Sequence, residues 1–146
     1  MVSRVHCSGL SGVYTTARRS AITEELIEAM SRFTNPGDEV LAYNAIPLLH
    51  FLTKTHPYLG DPWPDIVNSD RVSGLIAKKE LENQLLPYIV RATGSTYDAF
   101  WPVNPKPVAT WWGQVETRQV FSDFENRHGY QVVWENDFFE ILQPMR

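Results

Sequence analysis

The stretch Asn35-Pro36-Gly37-Asp38-Glu39-Val40-Leu41-Ala42-Tyr43-Asn44-Ala45-Ile46-Pro47 (35–47) decides the fold. Pro36 and Gly37 hold the two central positions of a type II turn, where only glycine takes the required positive φ cheaply. Asp38 closes that turn. From Glu39 to Asn44 the chain is apolar without alternation, as in a strand of a parallel sheet covered on both faces. Pro47 suits the first turn of a helix carried by Leu48, Leu49, Phe51 and Leu52. A turn, a strand and a helix in such quick succession predict an α/β chain with right-handed crossovers.

On the amino-terminal side, Val13-Tyr14-Thr15-Thr16 reads as a short strand, and Thr16 as the N-cap of a helix. Ile22, Leu26, Met30 and Phe33 recur at helical spacing and form one apolar stripe. Glu24, Glu25, Glu28 and Arg32 fall on the water side.

On the carboxyl-terminal side, 55–70 reads as a long structured loop containing Pro57, Gly60, Pro62 and Pro64. Asp70 can cap a helix to about residue 86, with Val72, Leu75, Ile76, Leu81 and Leu85 inward. Tyr88-Ile89-Val90-Arg91-Ala92 is the next strand. A second Pro-rich aromatic loop spans 94–110. A helix over about 112–128 has Val115, Phe121 and Phe124 as inner-face candidates and Gly129 as its C′ residue. Tyr130-Gln131-Val132-Val133-Trp134 and Phe138-Phe139-Glu140-Ile141-Leu142 flank Glu135-Asn136-Asp137 and predict a β-hairpin. The expected architecture is a Rossmann-like three-layer α/β/α sandwich, one domain over 1–146, with a mostly parallel sheet ending in an antiparallel hairpin.

Composition narrows the function. Of 146 residues, 43% are hydrophobic and 21% charged, which is globular usage and excludes a disordered chain. Thirteen Lys and Arg against 17 Asp and Glu give −4, which argues against a polybasic nucleic-acid binder. No run approaches the roughly 18 apolar residues of a membrane span. Cys7 is the one cysteine, so no internal disulfide forms. The start "MVSRVHCSG" lacks the apolar core of a signal peptide and reads either as a natural start or as a cut.

Catalytic motifs are absent. The turn after the central strand, Asn44-Ala45-Ile46-Pro47, has no GxGxxG and no P-loop, so a bound nucleotide or other cofactor is not expected. His6, His50, His56 and His128 share no metal-ligand spacing. His56, Asp61 and Asp65 could meet in one loop, where local hydrogen bonds are the plainer explanation; no metal is expected. His50, on an apolar helix, reads as a core or edge histidine. Cys7, Ser8, Ser11 and Ser20 lack a nucleophile's setting. Carboxylate pairs such as Asp61 with Asp65, or Asp98 with Glu116, come with no distances. What remains is a binding surface. Tyr58, Trp63, Tyr97, Phe100, Trp101, Trp111 and Trp112 sit in the two long loops, which would form one aromatic face if they leave the same sheet edge.

Three segments appear in a characteristic order: "GVYTTARRSAI" (12–22), "NPGDEVLAYNAIPLLHFLTKTHPYLGDPW" (35–63) and "GYQVVWENDFFEIL" (129–142). In that order they resemble the C-terminal region of bacterial polytopic glycosyltransferases of the dolichyl-phosphate-mannose-protein mannosyltransferase-like, GT-C class. The resemblance covers most of the chain and departs from the pattern at His50, where an aromatic residue is expected. It implies a soluble extracytoplasmic domain, at the periplasmic face of a bacterial inner membrane, attached to a many-helix membrane portion of the same polypeptide. The parent would use a polyprenyl-phosphate-linked sugar, with its catalytic acid outside these residues. It also favours a cut at Met1. Pro36, Gly37, Asp38, Ile46, Pro47 and Thr53 then carry structural roles, and no catalytic residue is carried over.

The expected function is a non-catalytic domain that caps the membrane portion or engages an acceptor or partner. The binding candidates are His56, Tyr58, Asp61, Trp63, Asp65, Trp101, Trp111 and Trp112. Carbohydrate or a lipid-linked sugar is the expected ligand, and nucleic acid is not. The alternatives are a free-standing hydrolase built on Asp61, Asp65 and His56, or a small interaction module.

Overall fold

The computed structural model describes residues 2–4, 14–82, 85–94 and 115–145. In chain order the elements are β1 (Val2–Arg4), β2 (Tyr14–Thr16), α1 (Ala17–Phe33), β3 (Glu39–Tyr43), α2 (Leu49–Thr53) and β4 (His56–Pro57). A single 3-10 turn (Pro64–Ile66), α3 (Ser69–Glu82), β5 (Tyr88–Ala92), α4 (Val115–Arg127), β6 (Gln131–Glu135) and β7 (Phe139–Gln143) follow. Among the described residues the fold is mixed α/β, an open five-stranded sheet in the order β4-β3-β5-β7-β6 with four α-helices.

The Asn35–Asp38 turn forms as its sequence dictates. Gly37 has φ +93°, and the Asp38 amide donates to the Asn35 carbonyl at 3.1 Å. Thr16 caps α1 by accepting from the Arg19 amide at 3.3 Å. Ile22, Leu26 and Met30 are buried, and Phe33 packs half-buried beside them. They pack with Val40, Ala42, Val90, Ala92 and Ile141 from the strands. A second cluster joins Leu41, Ile89 and Leu142 to Val72 and Ile76 of α3 and Phe121 and Phe124 of α4. Successive strand residues point to opposite faces, so Leu41 and Ile89 serve one cluster while their neighbours Val40, Ala42 and Val90 serve the other. This double burial is why the β3 stretch reads as apolar without alternation.

The sheet is not mostly parallel. β3 pairs in parallel with β4 and β5, while β5 with β7 and β7 with β6 are antiparallel. β2, expected simply as a short strand, stands apart from that sheet and pairs antiparallel with β1 in a two-stranded ribbon. The second parallel neighbour of β3 comes from the expected loop: His56 and Pro57 form β4 at the sheet edge. There Pro57's missing N–H costs no ladder bond, and the flanking amides of His56 and Tyr58 donate to Asp38 and Val40 at 2.9 Å each.

The hairpin forms one residue later than expected. The edge strand β6 is mostly exposed, and β7 lies inside it because its Phe139, Ile141 and Leu142 bury. A register shift between Val132 and Trp134 bulges the edge.

Helix limits differ in three places. α2 starts at Leu49, after Pro47, and buries Leu49 and His50 while leaving Leu48 and Phe51 exposed. Asn68, not Asp70, accepts from an amide of the first turn of α3, that of Arg71 at 2.9 Å. α3 ends at Glu82, and Leu81 and Leu85 are 90% and 86% exposed rather than inward. In α4, Phe121 and Phe124 are buried as expected, but Val115 is exposed and Thr117 takes its place inside. Gly129 has φ +61° at the end of α4, as a C′ residue should. Among the described residues no helix is long and apolar enough to cross a membrane.

Candidate functional site

Open α/β sheets bind ligands beyond the carboxyl ends of their parallel strands. Here those ends belong to β3 and β5. A cleft of about 310 Å³ opens there, lined by residues that include Asn44, Arg91, Thr93, Arg118, Ser122 and Glu140.

Three neighbouring strands bring a polar residue each to this end of the sheet. Tyr43 of β3 lies opposite Arg91 of β5, and Arg91 lies opposite Glu140 of β7. Glu125 of α4 completes the group. Arg91 donates from Nε to Glu140 at 2.7 Å, and from Nη1 to Glu125 at 2.7 Å and to the Tyr43 hydroxyl at 3.3 Å. The Tyr43 hydroxyl donates to the other Glu125 oxygen. Tyr43 is held flat by Phe121, stacked at 4.7 Å between centroids. Burial and the Glu125 carboxylate push the Tyr43 phenol far above its ordinary pKa, so it stays a donor. Burial opposes the Arg91 charge, but Tyr43, Glu140 and Glu125 outweigh it and raise its pKa. Charged bonds in a half-buried setting are short and fix their members in one geometry.

The floor of the cleft is strained. Asn44 and Ala45 follow β3 with φ 66° and 58°, left-handed values at two successive non-glycine residues. Asp65 holds them there: its carboxylate accepts from the Asn44 amide at 2.7 Å and the Ala45 amide at 3.1 Å. Asp65 is 3% exposed. Burial pushes its pKa up, and these amides and the Arg118 charge pull it back. The Asn44 side chain donates to the Ala92 carbonyl at 2.8 Å and so ties the ends of β3 and β5 together.

The expected binding residues do not gather at this cleft. Asp65 is spent on the β3 turn from behind. Asp61 accepts from the Trp63 amide at 2.9 Å, a local turn bond. His56 is exposed on β4, and Trp63 is half-buried. Tyr58 is 1% exposed, a core residue rather than a loop-surface aromatic. Trp101, Trp111 and Trp112 lie outside the described residues. Pro36, Gly37 and Asp38 do build the turn before β3, and Pro47 precedes α2. Among the described residues no group of three or more His, Cys, Asp or Glu could hold a metal ion.

His50 is buried, as a core histidine should be. Its Nδ1 lies 3.1 Å from the Thr55 hydroxyl, and burial, with the charge of His56, lowers its pKa to about 4.

A second hollow of about 500 Å³ lies between α1 and the β6–β7 turn, lined in part by Arg18, Glu25 and Asp137. Its ion pair, Arg18 with Asp137 at 3.6 Å, has both side chains more than half exposed, and such pairs fix little. The cleft at β3 and β5 is therefore the stronger candidate.

The chain matches no family model, no curated protein and no solved structure.

Proposed function

We propose that this chain is a non-catalytic, extracytoplasmic domain of a bacterial membrane glycosyltransferase that uses a polyprenyl-phosphate-linked sugar. In this reading it is a Rossmann-like three-layer sandwich attached to the membrane portion of the same polypeptide, and it engages the acceptor or a partner. The motif order of segments 12–22, 35–63 and 129–142 supports the family. Two core clusters, one joined by α1 and the other by α3 and α4, support the layered arrangement.

One observation carries the non-catalytic part. A general acid or base must have a lone pair or proton to offer the substrate. At the cleft the Tyr43 proton is already bonded to Glu125, and the Glu125 and Glu140 carboxylates are both engaged by the Arg91 guanidinium. That arrangement suits a rigid binding surface better than proton transfer. The hydrolase alternative draws no support from the hydrogen bonds of Asp61 and Asp65, whose carboxylates accept from backbone amides.

The test is direct. The purified chain, given a polyprenyl-phosphate-linked sugar and a peptide or glycan acceptor, should transfer nothing; turnover overturns the reading. The reading frame upstream should encode a series of apolar spans, and a frame without them overturns it too.

A further inference from the structure

We infer that the cleft at the carboxyl ends of β3 and β5 is a binding site for a neutral, polyhydroxylated ligand of about one sugar ring. The inference rests on the reading above and adds to it a place and a ligand class.

The charge balance comes first. Arg91 is matched by Glu125 and Glu140, and the Asp65 charge is met by two backbone amides and the charge of Arg118. An anionic ligand would have to pull Arg91 away from its carboxylates, leaving them half-buried and unpaired. The Glu125 and Glu140 side chains are only 12% and 17% exposed, so that loss would be large. A cation would face the converse problem.

A hydroxyl does not. It donates and accepts at once. Arg91 bonds its partners through Nε and Nη1, and no bond from Nη2 to a described residue is seen. Glu140 accepts from Arg91 through one carboxylate oxygen, leaving acceptor capacity beside the Arg91 donors. Adjacent hydroxyls on a ring can accept from the guanidinium and donate to the carboxylate without breaking either ion pair. Ser122, Thr93 and Asn44 add further donors and acceptors to the wall. The Asn44 Oδ1 is buried and has no hydrogen-bond partner.

Rigidity and size agree. Strand register, Phe121 stacking and the Asp65 clamp hold the polar groups in place before a ligand arrives, and this lowers the cost of binding. A volume of about 310 Å³ lies at the low end of small-ligand clefts, which run roughly 300–1,000 Å³.

The experiment is an NMR titration of the amide spectrum with glucose, mannose, N-acetylglucosamine and inositol, with inorganic phosphate as the anionic control. Saturable shifts at Thr93, Arg118 and Ser122 are expected with at least one of the neutral compounds, with a Kd on the order of 1 mM. Ser122→Trp, on the exposed side of α4, should fill the cleft without touching the ion pairs and weaken binding about tenfold or more. Arg91→Lys should weaken it comparably; should that variant misfold, Ser122→Trp alone decides. The inference is overturned if no neutral compound gives saturable shifts, if the shifts survive Ser122→Trp, or if phosphate binds there more tightly than the sugars. Sugar transfer by the chain itself would sink the non-catalytic reading and leave the site standing. Missing shifts would remove the site and leave that reading intact.

Discussion

The two ends of β3 both pass through left-handed backbone, and they pay for it differently. At the amino end Gly37 takes φ +93°, and a Cβ there would meet nothing within 4 Å. Its outside contacts are two backbone bonds, from the Gly37 amide to the Lys54 carbonyl at 2.8 Å and from the His56 amide to the Asp38 carbonyl at 2.9 Å. At the carboxyl end Asn44 and Ala45 take similar angles without glycine. A left-handed alanine is disfavoured by roughly 1–2 kcal/mol. It persists because a buried carboxylate binds both amides. Strain held in place by tertiary contacts marks sites more often than plain turns, and of the two ends of β3 it is the one opening on the cleft that carries it.

The contrast breaks first at Asp65. Asp65→Ala leaves two partly buried amides without their acceptor and should cost roughly 3 kcal/mol in urea unfolding. A loss below about 1 kcal/mol would mean the strained turn holds itself.

Next comes the segment just past that turn. His50 keeps its pKa near 4 in the folded chain against 6.5 unfolded, chiefly through burial. Between those values the unfolded chain takes up a proton that the folded chain refuses. Stability is therefore full above about pH 6.5 and falls as pH drops toward 4. Unfolding at pH 7 and pH 5 should differ by about 2 kcal/mol, and His50→Gln should flatten that slope.

Gly37→Ala tests the glycine turn. With open space around the new Cβ, only the φ penalty counts, and a loss of about 1 kcal/mol is expected in thermal melts. Ala45→Gly gives the smallest effect and the opposite sign. Relief of the left-handed alanine outweighs the added chain entropy, for a gain of about 0.5 kcal/mol. A loss on Ala45→Gly would show that the methyl group packs usefully and that the turn is not strained.

Local chemistry made much of the fold legible. The Asn35–Asp38 turn, the stripe of Ile22, Leu26 and Met30, the Thr16 cap and the Gly129 stop each follow from residues close in sequence. β4 was hidden because two residues, one of them proline, carry no strand pattern; only pairing with β3 makes them one. Leu81 and Leu85 misled because apolar residues at helical spacing near a helix end can still face water. The cleft was harder. Arg91 bonds partners 34, 48 and 49 positions away, and Tyr43 bonds Glu125 across 82. One signal was present: Arg91 and Glu140 interrupt the apolar cores of their strands, and Tyr43 ends that of β3 with a hydroxyl. Strand order, which the sequence does not state, is what aligns them.

The place of β7 bears on how the chain comes to be folded. It follows β6 in chain order, yet it lies between β5 and β6 and feeds both core clusters, Phe139 and Ile141 one and Leu142 the other. During synthesis β3 and β5 can pair early, but β5 keeps a bare edge until residue 143 has left the ribosome. A pairing of such long sequence separation is slow to close, and an apolar strand with an open edge invites the wrong neighbour meanwhile. The growing chain is thus exposed to misassembly for as long as β7 has yet to be made.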